Sequence, residues 1–78
     1  MMITVLLFAH LQEQIGEREL KLAVPAMTVA EFKSMMEAEY GLSDAGTIMI
    51  AVNEEFANDH DMINDGDTVA CIPPVSGG

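Results

Sequence analysis

A single segment of this sequence carries a strong helix signal, and that restricts the folds open to the chain more than anything else in it. Thr28 and Glu31 form a T-x-x-E capping box, in which each side chain bonds the other residue's backbone N–H. Val29, Phe32, Met36 and Tyr40 follow at i, i+3, i+7 and i+11, one apolar stripe along a helix. Gly41 then suits the left-handed position that ends a helix. The stripe needs an apolar surface to cover it, and no second helix of comparable length is available. The remaining choice is a sheet.

Strand signals surround the helix. Met2 to Phe8 is rich in β-formers, with Ile3, Val5 and Leu7 on one face and Thr4, Leu6 and Phe8 on the other. His10 to Ile15 fits one or two helical turns, with Leu11 and Ile15 stacked and Gly16 closing them. Leu20, Leu22 and Val24 alternate with Glu19, Lys21 and Ala23, a half-buried strand that forms a loose hairpin with the first and stops at Pro25. After a loop from Leu42 to Thr47, Ile48 to Val52 is a short, continuous apolar run, read as a central strand. Asn53-Glu54-Glu55 turns the chain, Phe56 begins a short edge strand, and Asp65-Gly66-Asp67 is a tight turn into the last strand, Thr68 to Ile72. Pro73 and Pro74 remove two backbone donors and take the chain out of the sheet.

The order strand, strand, helix, strand, short strand, strand predicts an α+β chain of the β-grasp, or ubiquitin-like, architecture: a mixed sheet packed on one main helix. Residues 1–72 form the domain and 73–78 an extended tail. A split βαβ fold would need a second long helix, and the Leu11 to Ile15 turn is too short to serve.

Charge narrows the function. Thirteen Asp and Glu face three Lys and Arg, a formal net charge of −10 over 78 residues. Such a chain gains nothing from counterion release on nucleic acid and is repelled by anionic membrane surfaces. Basic protein surfaces are its natural partners. Half of the residues are apolar, enough to build a core despite self-repulsion. Cys71 is the only cysteine, so no internal disulfide is possible, and the apolar opening, Met1 to Ala9, lacks the basic flank and length of a targeting or spanning segment. A cytoplasmic location is expected.

The tail Pro73-Pro74-Val75-Ser76-Gly77-Gly78 is the segment that carries chemistry. Two prolines stiffen the exit, and two glycines supply backbone without side chains, able to thread a narrow channel in a partner and present the Gly78 carboxylate there. A carboxylate is a poor electrophile; ATP converts one to an acyl-adenylate that a sulfur nucleophile attacks. Such chemistry asks for reach and openness, not for a catalytic side chain on the carrier.

With these residues in view, the chain resembles the small, sulfur-carrier subunits of molybdopterin synthases. The resemblance runs from the opening strand ending in Phe8-Ala9 through Gly16, Thr28-Val29, Ala51-Val52-Asn53, Asp65-Gly66-Asp67 and Val69-Ala70 to Pro73-Pro74-Val75-Ser76-Gly77-Gly78. It implies that an E1-like enzyme, consuming ATP, adenylates Gly78 and that a sulfurtransferase turns the adenylate into a thiocarboxylate. The tail then enters the large subunit of a heterotetramer and gives sulfur to cyclic pyranopterin monophosphate, building the molybdopterin dithiolene in two donations. The chain itself binds no cofactor and is no enzyme in isolation; catalytic bases and the phosphate-binding residues belong on the large subunit. The resemblance also implies docking through Phe8, Phe56 and Ile72. The strand alternation adds Leu6 and Ala70 to that outer face, opposite Ile3, Val5, Leu7, Val69 and Cys71. In this family an arginine often stands where the chain has Gln12, and an aromatic where it has Cys71.

Other residue types yield little. Cys71 on a strand, with no basic neighbour, reads as a small buried hydrophobe and not as a sulfur relay. His10 and His60 lack metal-ligand spacing, and Asp59 and Asp61 beside His60 read as a solvated loop, so no metal is expected. The seven methionines are expected to fill an irregular core, and Glu37, Glu39, Glu54 and Glu55 to lie on solvated faces. Two further functions remain open: a sulfur carrier for thiamine or another pathway, and a protein modifier or plain interaction module that docks through the sheet.

Overall fold

The computed structural model describes residues 1–42 and 47–73. Its elements are β1 (Met2–Leu7), α1 (His10–Ile15), β2 (Glu19–Ala23), β3 (Met27–Thr28), α2 (Val29–Tyr40), β4 (Met49–Val52), β5 (Glu55–Phe56), β6 (Met62–Ile63) and β7 (Thr68–Ile72). Five strands form one sheet in the order β2-β1-β7-β4-β5, with β1 and β7 parallel at its centre and every other pair antiparallel. β3 and β6 pair separately, Met27 against Ile63 and Thr28 against Met62. This is the β-grasp arrangement, with α2 across one face of the sheet.

The helix begins as its capping box requires. The Thr28 hydroxyl accepts from the Glu31 amide at 3.2 Å, and the Thr28 amide donates to the Glu31 carboxylate at 2.9 Å. The next two amides, which no helix can satisfy internally, are also taken up: Val29 donates to the Asp61 carbonyl at 2.9 Å and Ala30 to the Asp59 carbonyl at 3.1 Å. The segment around His60, read from sequence as a solvated loop, therefore anchors the helix through its backbone. Lys33 adds an ion pair to Asp59 at 3.0 Å. Val29, Phe32 and Met36 are buried and Tyr40 packs at the edge of the core, as the stripe predicts.

The sheet completes the core with Ile3, Val5, Leu7, Ile50, Val69 and Cys71, all inward. Leu11 of α1 is fully buried and Ile15 packs beside it. Gly16 follows α1 at φ +86°, a conformation that side chains resist and glycine adopts freely.

Two sequence expectations shift. Met27 and Met36 lie in the core, but Met2, Met49 and Met62 are exposed, so the methionines do not act as one set of core fillers. The β3/β6 ribbon was not expected, because two-residue strands are too short to show any periodicity.

Candidate functional site: the outer face of the sheet

The face of the sheet turned away from α2 divides into a polar end and an apolar end. At the polar end Thr4 pairs with Thr68 on one side and Lys21 on the other, and the Lys21 ammonium donates to the Thr4 hydroxyl at 3.0 Å. One step further along the strands, the register sets Leu6 beside Ala70, Ala70 beside Ala51, and Ala51 beside Phe56. Residues directly opposite on neighbouring strands share a face, so these four side chains form one row across β1, β7, β4 and β5. Two short alanines sit between two large apolar residues, and Ala51 is itself buried among its neighbours. The following row sets Ile72 beside Met49, and Phe8 comes directly after β1 at the same end.

Exposure separates this face from the other. Phe56 is 72% exposed, Phe8 43% and Met49 40%, while Leu6, Ala70 and Ile72 are half-buried. Apolar side chains gathered and left uncovered in this way mark a surface that meets another molecule. The sequence placed Leu6, Phe8, Phe56, Ala70 and Ile72 here; the register sets Leu6, Ala70, Phe56 and Ile72 on this face, and Phe8 follows β1 at the same end. The sequence missed Met49. Ile48 to Val52 reads as an unbroken apolar run, yet Met49 is exposed between buried Ile48 and Ile50, a difference hidden by uniformly apolar residue types.

The backbone fixes both flanks of the patch. Phe8 is held from behind, its carbonyl accepting from the amide of core residue Leu11 at 3.1 Å, and the chain reverses at Ala9 with φ +53°. On the far side, Asn53 and Glu54 both take positive φ, a two-residue hairpin that carries β4 into β5 and projects Phe56. Asn53 is pinned to β7: its amide donates to the Thr68 carbonyl at 2.8 Å, and its side chain accepts from the Thr68 amide and donates to Asp67.

Because β1 and β7 are parallel, Phe8 and Ile72 lie at the same end of the sheet. The chain leaves β7 at that end, through Pro73. The apolar half of the outer face is thus the half next to the start of the tail. Pro74, Val75, Ser76, Gly77 and Gly78, assigned to threading and sulfur transfer from sequence, lie outside the described residues.

The other candidates separate cleanly from this surface. Cys71 is buried on the inner face, where burial pushes its thiol up to about 12, so it is held as a thiol and away from any partner. His10 and His60 are exposed, and among the described residues no three His, Cys, Asp or Glu side chains stand close enough to hold a metal ion. No described helix is long and apolar enough to cross a membrane.

A mixed five-stranded sheet with parallel central strands, covered on one face by a single main helix, defines a ubiquitin-like β-grasp protein. The chain belongs to the ThiS family, whose model matches residues 5–78. It is 35% identical over 82 residues to the molybdopterin synthase sulfur carrier subunit of Escherichia coli, an alignment covering 99% of this chain and 100% of that one. Among solved structures, the small archaeal modifier protein 1 of Haloferax volcanii superposes with a TM-score of 0.79 at 26% identity, over 95% of this chain and 98% of that one. Subunits 1 and 2 of the molybdopterin-converting factor of Helicobacter pylori have been solved as a protein–protein complex; the matching chain has a TM-score of 0.68 at 26% identity, with full coverage of both.

Proposed function

We propose that this chain is the sulfur-carrier subunit of a molybdopterin synthase and that Gly78 bears the transferred sulfur. The observation that carries the reading is the joining of two features at one end of the sheet. The uncovered apolar face of Leu6, Phe8, Met49, Phe56 and Ile72 adjoins the point where β7 gives way to Pro73 and the tail. A partner seated on that face is in position to receive the tail. The kinship with molybdopterin synthase sulfur carrier subunits, and a family match that runs through Gly77 and Gly78, support the same reading.

In the proposed cycle the Gly78 carboxylate attacks ATP on an E1-like enzyme, releasing pyrophosphate and forming an acyl-adenylate. A sulfurtransferase delivers sulfide-level sulfur to the acyl carbon, the acyl–oxygen bond to AMP breaks, AMP leaves, and a thiocarboxylate results. Docked on the large subunit, the thiocarboxylate sulfur bonds to a carbon of cyclic pyranopterin monophosphate, water then cleaves the acyl–sulfur bond, and the tail returns to the carboxylate. The large subunit supplies the bases and the basic residues for the substrate phosphate, which a chain of net charge −10 would repel.

Adding one residue after Gly78 tests the assignment. The extended chain is expected to fold and to bind the large subunit while yielding no molybdopterin in a reconstituted synthase. Molybdopterin formation by the extended chain would refute it. The likeness to a small archaeal modifier protein favours a second reading, attachment to target lysines. Isopeptide-linked Gly78 in cells would support that reading.

A further inference from the structure

We propose that Met49 is a modification site: oxidation of its thioether by a peroxide switches off docking through the outer face of the sheet. The inference rests on the docking reading above and adds a chemical control to it. Of the three exposed methionines, Met49 alone lies within the apolar patch. It pairs with Ile72 across β4 and β7 and is 40% exposed. Met2 lies at the opposite end of β1, and Met62 is on β6 in the separate two-stranded ribbon.

The step balances without help from any other group in the chain. The sulfur lone pair attacks one oxygen of a hydroperoxide, the O–O bond breaks, and the second oxygen leaves as water or an alcohol after taking up the peroxide proton. Sulfur is oxidised by two electrons and the peroxide reduced by two. The product carries a strong S=O dipole where the free thioether offers only soft apolar contact. In the free carrier Met49 is 40% exposed, so the sulfoxide oxygen can reach water and the carrier is expected to stay folded. Buried against Ile72 under an apolar partner surface, the dipole would lose its hydrogen bonds to water, which makes that burial unfavourable.

Placement also explains why Met49, and not the cysteine, answers to peroxide. Ile50 pairs with Cys71, one residue along from the pair of Met49 with Ile72, and so both face the core. Cys71 is buried there and held protonated, while peroxides attack thiolates at accessible positions. A single step along the strand decides which sulfur is reachable.

The test treats the free full chain with hydrogen peroxide, quantifies sulfoxide at each methionine by peptide mass spectrometry, and measures the Kd for the large subunit of the synthase before and after. Affinity is expected to fall roughly 10- to 100-fold as Met49 converts, and to return with methionine sulfoxide reductase. Met49→Leu, compared with itself before and after peroxide, is expected to show no change. Excess large subunit is expected to slow oxidation of Met49 and leave Met2 and Met62 unaffected. Equal affinity before and after full conversion of Met49, or an undiminished loss in Met49→Leu, overturns the switch while leaving docking intact. Absence of binding before any oxidation overturns the docking reading, and the switch with it.

Discussion

The two faces of the five-stranded sheet are built from the same strands and nearly the same residue types, yet they have opposite uses. The inner face sets Val5, Leu7, Val69, Cys71 and Ile50 against Phe32 and Met36 of the helix, and none of these is appreciably exposed. The outer face sets Leu6, Ala70, Ala51, Met49, Ile72 and Phe56 in equally apolar rows, with none of the described elements over them. Hydrophobicity therefore does not decide which side chains hold the fold together. The presence of a covering helix does. One face stabilises the molecule, and the other remains free to bury its area against another molecule.

This contrast can be broken most forcefully from the inside. Phe32→Ala removes the largest fully buried side chain and is expected to cost about 3–5 kcal/mol, as read by denaturant unfolding. For so small a domain that is a large share of the whole stability. A loss below about 1 kcal/mol would mean that α2 does not cover the inner face of the sheet.

The mirror experiment acts on the outside. Phe56→Asp is expected to leave the unfolding midpoint nearly unchanged, because Phe56 is 72% exposed, and to weaken binding of the large subunit by about 2 kcal/mol or more. Phe8→Asp should act in the same direction. Unfolding of either variant would show that the outer face belongs to the core after all.

A smaller and pH-dependent effect sharpens the comparison at a single position. Burial raises the Cys71 thiol from 9.0 to about 12, so its contribution to stability is complete below pH 9 and is lost as pH rises towards 12. The difference in stability between the wild type and Cys71→Val should change by about 1.4 kcal/mol per pH unit across that window, and not at all between pH 6 and 8. A difference that stays constant above pH 9 would place the thiol in water.

Much of this division was legible in the sequence because it follows from period two. The alternation in Met2 to Phe8 and in Thr68 to Ile72 sorted Ile3, Val5, Leu7, Val69 and Cys71 from Leu6, Phe8, Ala70 and Ile72, and the register keeps that sorting. The α2 cap was legible for a local reason too, since both bonds of the box lie within four residues. What escaped was non-local or chemically uniform. Met49 was hidden in a run where every residue is apolar. The β3/β6 ribbon and the anchoring of the helix by the Asp59 and Asp61 carbonyls depend on segments some thirty residues apart meeting through backbone atoms, which no side-chain pattern announces. The reversal at Ala9 escaped because alanine rarely adopts φ +53°; the buried Leu11 beyond it holds that turn in place.

In the proposed function, a partner docks on the outer face beside the exit of β7 at Pro73, and Gly78 carries sulfur to it. The most direct test of this function is the intact mass of the full chain after incubation with ATP, an E1-like activating enzyme and a sulfur source. A mass gain equal to one oxygen-to-sulfur exchange, localised to Gly78 by fragmentation, is expected. An unchanged mass, with the same enzyme active on another carrier, would contradict it and leave the outer face as the surface of a plain interaction module.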